Sequence, residues 1–306
     1  MSADTPDISI LVCVHNRADL TGPFLESLFA TLPDGISREV LVFDDQSTDG
    51  TGDLLSSYGD RIRVFRDPDR GCFARNNNRL VHEARGRRLV LLNNDMILRP
   101  GWLEPMMALM DERTAGIVGN LQVFPGSGLI NHAGGGYERD LTPVNLYEGL
   151  SPSIDAARLT RKMRFVTAAC WLVERPLYKS LGGFDEGFIN GYEDADFCLR
   201  ALDRGASIWY CGSSVIEHYG SSSPGRFGRQ AANRRVFLRR WKGRVEPDLE
   251  SITRGDGISW PKRGGAERVL RSIVRAPLIG GVVDRLSGFG PAVALRSWVK
   301  RVLARG

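Results

Sequence analysis

Three features of residues 8–95 predict an α/β fold built on a doubly wound, mostly parallel sheet. Apolar, β-branched runs recur there, helical segments separate them, and each run stops at polar residues. A chain of 306 residues accommodates one such core of about 200–250 residues plus an appendage. Hydrophobic residues at 42% and charged residues at 25% are ordinary globular values, which excludes wholesale disorder, collagen-like repeats and coiled coil.

Residues 8–14 (ISILVCV) are almost uninterruptedly apolar, as a strand buried on both faces requires. Leu20, Phe24, Leu25, Leu28 and Phe29 then fall at helical spacing. Residues 39–43 (EVLVF) form a second strand that ends abruptly in Asp44-Asp45. Ser47, Thr48 and Asp49 offer N-caps for a helix carrying Leu54 and Leu55. Residues 61–65 are a third strand, 75–84 a helix and 88–92 (RLVLL) a fourth strand. Beyond residue 100 the alternation loosens. Residues 115–124 read as a strand, 125–153 as a Gly/Pro-rich loop and 166–173 as a strand, with 176–181 a short helix behind it. A turn at 182–184 leads to a helix at 195–202 closed by Gly205, and 207–211 is the last strand before His218. From residue 226 the chain reads as helices and linkers without repeats.

Charge is unevenly spread. Residues 226–306 hold 19 Lys and Arg against 6 Asp and Glu, a net of +13, whereas the first 225 residues carry a net of −8. An acidic body with a basic tail implies that the tail meets something anionic. Cys13, Cys72, Cys170, Cys198 and Cys211 are odd in number and scattered, the pattern of reduced core thiols in a cytoplasmic protein. Residues 1–7 carry two acids and no basic residue, unlike a secretory leader, and no apolar stretch reaches the ~18 residues of a membrane span.

In a doubly wound sheet ligands bind beyond the carboxyl ends of the strands. The residues there are His15-Asn16-Arg17, Asp44-Asp45, residues 67–70 and Asn93-Asn94-Asp95. The first strand is followed by V-H-N-R-A-D, which excludes the glycine fingerprint of a dinucleotide site, and no P-loop sequence occurs. Carboxylates at such strand ends can accept hydrogen bonds from a ligand or help to hold a hard cation.

VLVFDDQSTDGT, LLNNDM, GGFDEGF with GYEDADFCLRALDRG, and IEHYGSSS, in this order, resemble the family 2 glycosyltransferases, and most closely a rhamnosyltransferase-like branch. The resemblance covers roughly residues 8–240 and implies a GT-A fold and an inverting transfer from a nucleotide-sugar. It divides residues 1–225 into a donor half of about 1–100 and an acceptor half of about 101–225, followed by a basic helical extension at 226–306. It implies donor contacts from Cys13, His15, Asn16, Asp44, Asp45, Gly71, Arg75, Asn78, Asn93 and Asn94. It gives Asp95 and His218 to a Mg²⁺ or Mn²⁺ ion. It makes Asp194 the base that takes the acceptor's proton, with Glu193 orienting that base or holding the acceptor. Asn93 departs from the family, since an Asp opens the D-x-D motif there. Trp171, Phe184 and Phe188 are candidates to stack on an acceptor sugar. The stretch 220–228 has the composition of a loop that closes over the donor.

The expected substrates are a UDP- or dTDP-type donor and a glycan or lipid-linked acceptor of bacterial surface polysaccharide. A non-catalytic nucleotide-sugar or glycan-binding module is the alternative, and a sugar nucleotidyltransferase, which needs a Gly-rich basic loop after the first strand, is a weaker one. In the tail, residues 266–279 and 292–303 are basic amphipathic segments. Their apolar faces suit an anionic membrane surface, the catalytic domain or a second subunit of a homodimer. Nothing in them resembles a nucleic-acid motif. The first of these readings places the protein peripherally at the inner face of the cell membrane.

Overall fold

The computed structural model describes residues 5–220 and 226–258. The tail segments 266–279 and 292–303 lie outside the described residues, as does 221–225 of the proposed closing loop. Residues up to Ile252 form one compact unit, and those from Thr253 belong to a second.

The chain begins β1 (Ile8–Val14), α1 (Ala18–Thr31), β2 (Arg38–Asp44), α2 (Thr51–Ser56), a single turn at Gly59–Arg61 and β3 (Arg63–Phe65). It continues through α3 (Phe73–Glu83), β4 (Arg88–Asn93) and the two-residue β5 (Met96–Ile97). Next come α4 (Glu104–Arg113), β6 (Ile117–Val123), β7 (Ile130–His132), β8 (Gly135–Tyr137), β9 (Pro143–Asn145), α5 (Asp155–Arg158) and β10 (Arg161–Lys162). The chain then forms β11 (Cys170–Glu174), α6 (Arg175–Ser180), α7 (Glu193–Asp203) and β12 (Ile208–His218). After a turn at Arg226–Arg229 it enters α8 (Gln230–Trp241) and α9 (Leu249–Gly255).

The main sheet has the order β10-β12-β6-β11-β4-β1-β2-β3. β1 pairs in parallel with both β2 and β4, β2 with β3, and β6 with β12. β11 is inserted antiparallel between β4 and β6. The predicted doubly wound sheet is therefore observed, parallel along β3-β2-β1-β4 and mixed beyond, and the strand order reverses between β1 and β4, where a ligand crevice belongs. Phe24, Leu25 and Leu28 of α1 and Trp102, Leu103 and Met106 around α4 belong to the buried core against the strand residues Ile10, Val12, Val42, Val90 and Leu92. The all-apolar strands predicted this burial on both faces.

Three element boundaries differ from expectation. The predicted strand 166–173 starts only at Cys170, where pairing with Leu92 begins. Residues 166–169 leave the sheet as a buried turn, and an apolar run cannot separate the two. The loop 125–153 contains β7, β8 and β9. The last strand runs on to His218 through a bulge between Cys211 and Val215, which the small residues Gly212, Ser213 and Ser214 fill. α8, counted with the basic extension on sequence grounds, lies within the first compact unit.

Candidate active site

The carboxyl ends of β1 and β2 are stitched into one polar platform. Asn16 and Arg17 adopt left-handed backbone, with φ of 54° and 65°. That turn is held because Asn16 N donates to Ser47 Oγ at 2.8 Å and Asn16 Oδ1 accepts from Thr48 N at 2.7 Å. Asp44 is buried, and its Oδ1 accepts from Ser47 N at 2.9 Å. Asp45, also buried, accepts from Gly71 N at 2.7 Å, while its backbone oxygen lies 2.7 Å from His15 Nδ1. Each carboxylate has its second oxygen toward an exposed arginine, Arg66 at 3.8 Å and Arg70 at 3.6 Å. Register sets Cys13 between Phe43 and Asn93. Burial, with Asp45 and Cys72 beside it, pushes the Cys13 thiol up, so it lines the platform as a neutral group.

A Cβ on Gly71 would lie 2.0 Å from Asn76 Oδ1, so any larger residue there has to displace the buried Asn76 side chain. Arg75 is exposed on the first turn of α3, 3.9 Å from Asp67, and open to an anion. Asn78 is committed elsewhere. Its Oδ1 accepts from Phe184 N at 2.9 Å and from the Tyr178 hydroxyl at 2.8 Å, and its Nδ2 donates to Phe184 O and Glu186 Oε1. It ties the turn 182–184 to α3. Asn94 similarly donates to Thr21 Oγ1 at 2.8 Å, fixing β4's end to α1.

β5 pairs with the end of β12, and this pairing brings together Asp95 and His218, which are far apart in the sequence. Tyr219 N donates to Asp95 O at 3.0 Å, and His218 Nε2 lies 3.2 Å from Asp95 Oδ1. His218 Nδ1 sits 2.8 Å from Gln122 Oε1. Because that oxygen only accepts, Nδ1 carries a proton, and in the neutral ring Nε2 presents a lone pair. Nε2 is buried and has no hydrogen-bond partner. An orphaned imidazole nitrogen beside a carboxylate, its other nitrogen oriented by an amide, is what a metal-ligating histidine requires. Among the described residues no group of three or more His, Cys, Asp or Glu converges. Asp95 and His218 thus fit a cation whose remaining ligands come from diphosphate and water.

The third component is the N-terminus of α7. Glu193 is buried and accepts from Gly191 N. Asp194, half-buried, accepts from Ala195 N at 2.8 Å and from Ala168 N at 3.3 Å. Ala169 O in turn accepts from Asn93 N at 2.9 Å, so the turn 166–169 links the acid pair to the end of β4, two residues before Asp95. Asp196 has the opposite fate. It is fully buried and accepts from Arg200 Nε, Arg240 Nη1 and Trp241 Nε1 at 2.6–2.9 Å.

Trp171, Phe184 and Phe188 are corrected from acceptor platforms to core. All three are at most 2% exposed, and Trp171 and Phe184 pack in a ring cluster with Phe197, leaving no face for a sugar. Gln122, His132 and Asn233 carry no motif, yet each supports the site. His132 is fully buried, with Nδ1 at 2.9 Å from Asn145 Oδ1 and Nε2 accepting from Thr167 N at 3.4 Å. Burial lowers its pKa from 6.5 to about 4, although the Asn145 contact opposes the shift.

A depressed histidine leaves stability untouched above its unfolded pKa and removes it as pH falls toward the folded value. The wild type should therefore lose about 2 kcal/mol between pH 7.5 and 5 from this group alone. Urea unfolding of wild type and His132→Gln across that interval checks this, because the variant lacks that part of the slope. Equal slopes would refute it.

The sequence profile of glycosyl transferase family 2 matches residues 9–182, more than half of the chain. The O-antigen biosynthesis protein RfbC of Myxococcus xanthus is 30% identical over 228 residues, covering 72% of this chain and 18% of RfbC. The chain spans less than half the length of the curated relatives it matches. Among solved structures, GalNAc-T7 with UDP, GalNAc and Mn²⁺ superposes with a TM-score of 0.61 at 14% identity, covering 83% of this chain and 56% of that one. The mannosyltransferase PcManGT from Pyrobaculum calidifontis, in complex with GDP-Man and Mn²⁺, gives 0.60 at 17% identity, covering 99% and 82%. The fold is GT-A.

Proposed function

Because the chain belongs to glycosyl transferase family 2, we propose that it moves a sugar from a UDP- or dTDP-type donor to a hydroxyl of a glycan or lipid-linked acceptor, with inversion at the anomeric carbon. Surface polysaccharide synthesis is the setting, in keeping with the O-antigen role in RfbC's name. The observation that carries the reading is the convergence on β4's end. Asp95 with His218 stands there, and Asp194 is joined to the same strand end through Ala168, Ala169 and Asn93.

Asp44, Asp45 and the His15-Asn16 turn bind the nucleoside, and exposed Arg75 meets phosphate oxygens in fork geometry. Asn93, uncharged where the family has Asp, contacts the donor as an amide. Asp194 removes the acceptor hydroxyl's proton as that oxygen bonds to the anomeric carbon. The bond from that carbon to the diphosphate breaks on the opposite face, and the diphosphate keeps the electron pair. Mg²⁺ or Mn²⁺ held by Asp95 and His218 supplies charge neutralisation for the departing diphosphate. One displacement with one base inverts the anomeric centre.

No helix among the described residues is long and apolar enough to cross a membrane. A lipid-linked acceptor is then met at the membrane surface, for which the basic segments 266–279 and 292–303 suit anionic lipid.

Calorimetry of a panel of UDP-, dTDP- and GDP-sugars with and without Mn²⁺, paired with nucleoside diphosphate release, tests the proposal. One donor bound tightly only with metal and then turned over is the expected result. Metal-dependent binding without turnover under any acceptor would instead make the protein a binding module. No metal-dependent binding at all would defeat the reading.

A further inference from the structure

The residues leading into the acid pair occupy backbone that side-chain-bearing residues avoid. Asn190, Gly191 and Tyr192 have successive φ of 54°, 152° and 74°. Such a turn persists only where its surroundings over-determine it. Two clamps do so from distant parts of the chain. Asn190 Oδ1 accepts from Phe73 N at 3.1 Å, fastening the turn to the start of α3. The other clamp is Asn233 of α8, which is 3% exposed. Its Nδ2 donates to Ile189 O and to Gly191 O, both at 2.9 Å, and its Oδ1 accepts from Ile189 N at 3.2 Å.

We propose that Asn233 is a positioning residue for the Glu193–Asp194 pair. Gly191 is gripped at both of its main-chain groups, its oxygen by Asn233 and its N–H by Glu193. Through Ile189 O and Gly191 O, Asn233 fixes the peptides on either side of the N–H that Glu193 accepts from, and so sets where Asp194 leaves the turn. α8 can hold this pose because Phe237 and Trp241, one and two turns further on, are both 1% exposed. Phe237 rings pack with Tyr192 and Tyr137, and Arg240 bonds Asp185 and Asp196 at 2.6 Å. The inference rests on the reading of Asp194 as base, and it adds to that reading a helix beyond the family's matched residues.

The test uses the full chain and the variants Asn233→Ala and Asn233→Asp. The second keeps the volume and the acceptor for Ile189 N but loses both donors, and so serves if alanine fails to fold. Nucleoside diphosphate release from the preferred donor should show kcat lowered about 10- to 100-fold, with the donor KM changed less than about twofold. Amide exchange should rise in residues 189–195 while β1 and β4 remain protected, and UDP or dTDP binding with Mn²⁺ should match wild type. Unchanged kcat, unchanged exchange at 189–195, or a loss shared equally by kcat and nucleotide binding would each overturn the inference. A wild-type chain that turns over no donor would defeat the base reading itself, whereas active wild type with unimpaired variants would defeat this inference alone.

Discussion

Asp194→Asn should lower sugar transfer by about 10³-fold while nucleotide-sugar binding in Mn²⁺ stays within about twofold of wild type. The asymmetry follows from where Asp194 stands. Its two oxygens accept from Ala195 N and Ala168 N, so it reaches the end of β4 only through the main chain of residues 168–169 and touches none of the carboxylates of Asp44, Asp45 or Asp95. Asparagine retains one acceptor and turns an NH₂ group on the other amide, at a cost of about 1 kcal/mol in stability. It has no basic oxygen to take a proton, so the acceptor hydroxyl attacks unassisted. Asp196, two residues on, supplies the contrast. It is fully buried under three charged or polar donors, and Asp196→Asn should cost stability of about 3 kcal/mol by taking the carboxylate from Arg200 and leaving Arg240 with Asp185 alone. Product release kinetics, calorimetry and thermal melting on both variants separate the two. Transfer by Asp194→Asn at more than about a tenth of the wild-type rate would remove it as the base.

The three acids of E-D-A-D show what the chain discloses before it is folded. Strand ends were legible because an apolar run of period-less burial must stop at polar residues, and Asp44, Asp45 and Asp95 lie at those stops. Which of three acids in one helical turn faces a crevice was open to spacing alone, since all three also suit a helix N-terminus. Resemblance picked Asp194, and the structure gives the physical reason Asp196 differs, namely the arginines of α7 and α8. Asn78 was misleading for a similar reason. An amide near a glycine turn reads as a ligand, and only the contact with Phe184, 106 residues later, shows it to be a brace. Gln122 and His132 had no sequence signal, because Gln122 shares its strand with a second amide, Asn120, and His132 lies in a stretch that reads as loop. Asn233 did have one. With Phe237 and Trp241 it forms an i, i+4, i+8 stripe, and an amide on an otherwise apolar helix face asks for a buried partner.

Removing the Asp95 carboxylate should have the second large effect. Asp95→Ala with Mn²⁺ present should bind the preferred donor about 100-fold more weakly than wild type, and no more tightly than wild type in a chelator. The fold should survive, because Tyr219 bonds the backbone oxygen of Asp95 and β5 pairs with β12 through main chain. His218→Ala should produce the same loss if Nε2, buried and without a hydrogen-bond partner, is the other ligand as proposed. Combining the two changes should add little, because both act through one ion. Gln122→Leu offers the sharpest discrimination. It leaves both ligands in place but removes the acceptor that holds the proton on Nδ1, so Nε2 can become protonated and turn toward Asp95 as a donor. Mn²⁺ affinity should then fall about 10- to 100-fold. In a purely structural pair, Gln122→Leu would disturb stability and leave Mn²⁺ binding as it was. Titration of Mn²⁺ by paramagnetic resonance, in the presence of UDP or dTDP, reads this without requiring turnover. Wild-type donor affinity that is indifferent to chelation would show that Asp95 and His218 form an internal ion pair, with Asn93 marking a chain that no longer uses metal.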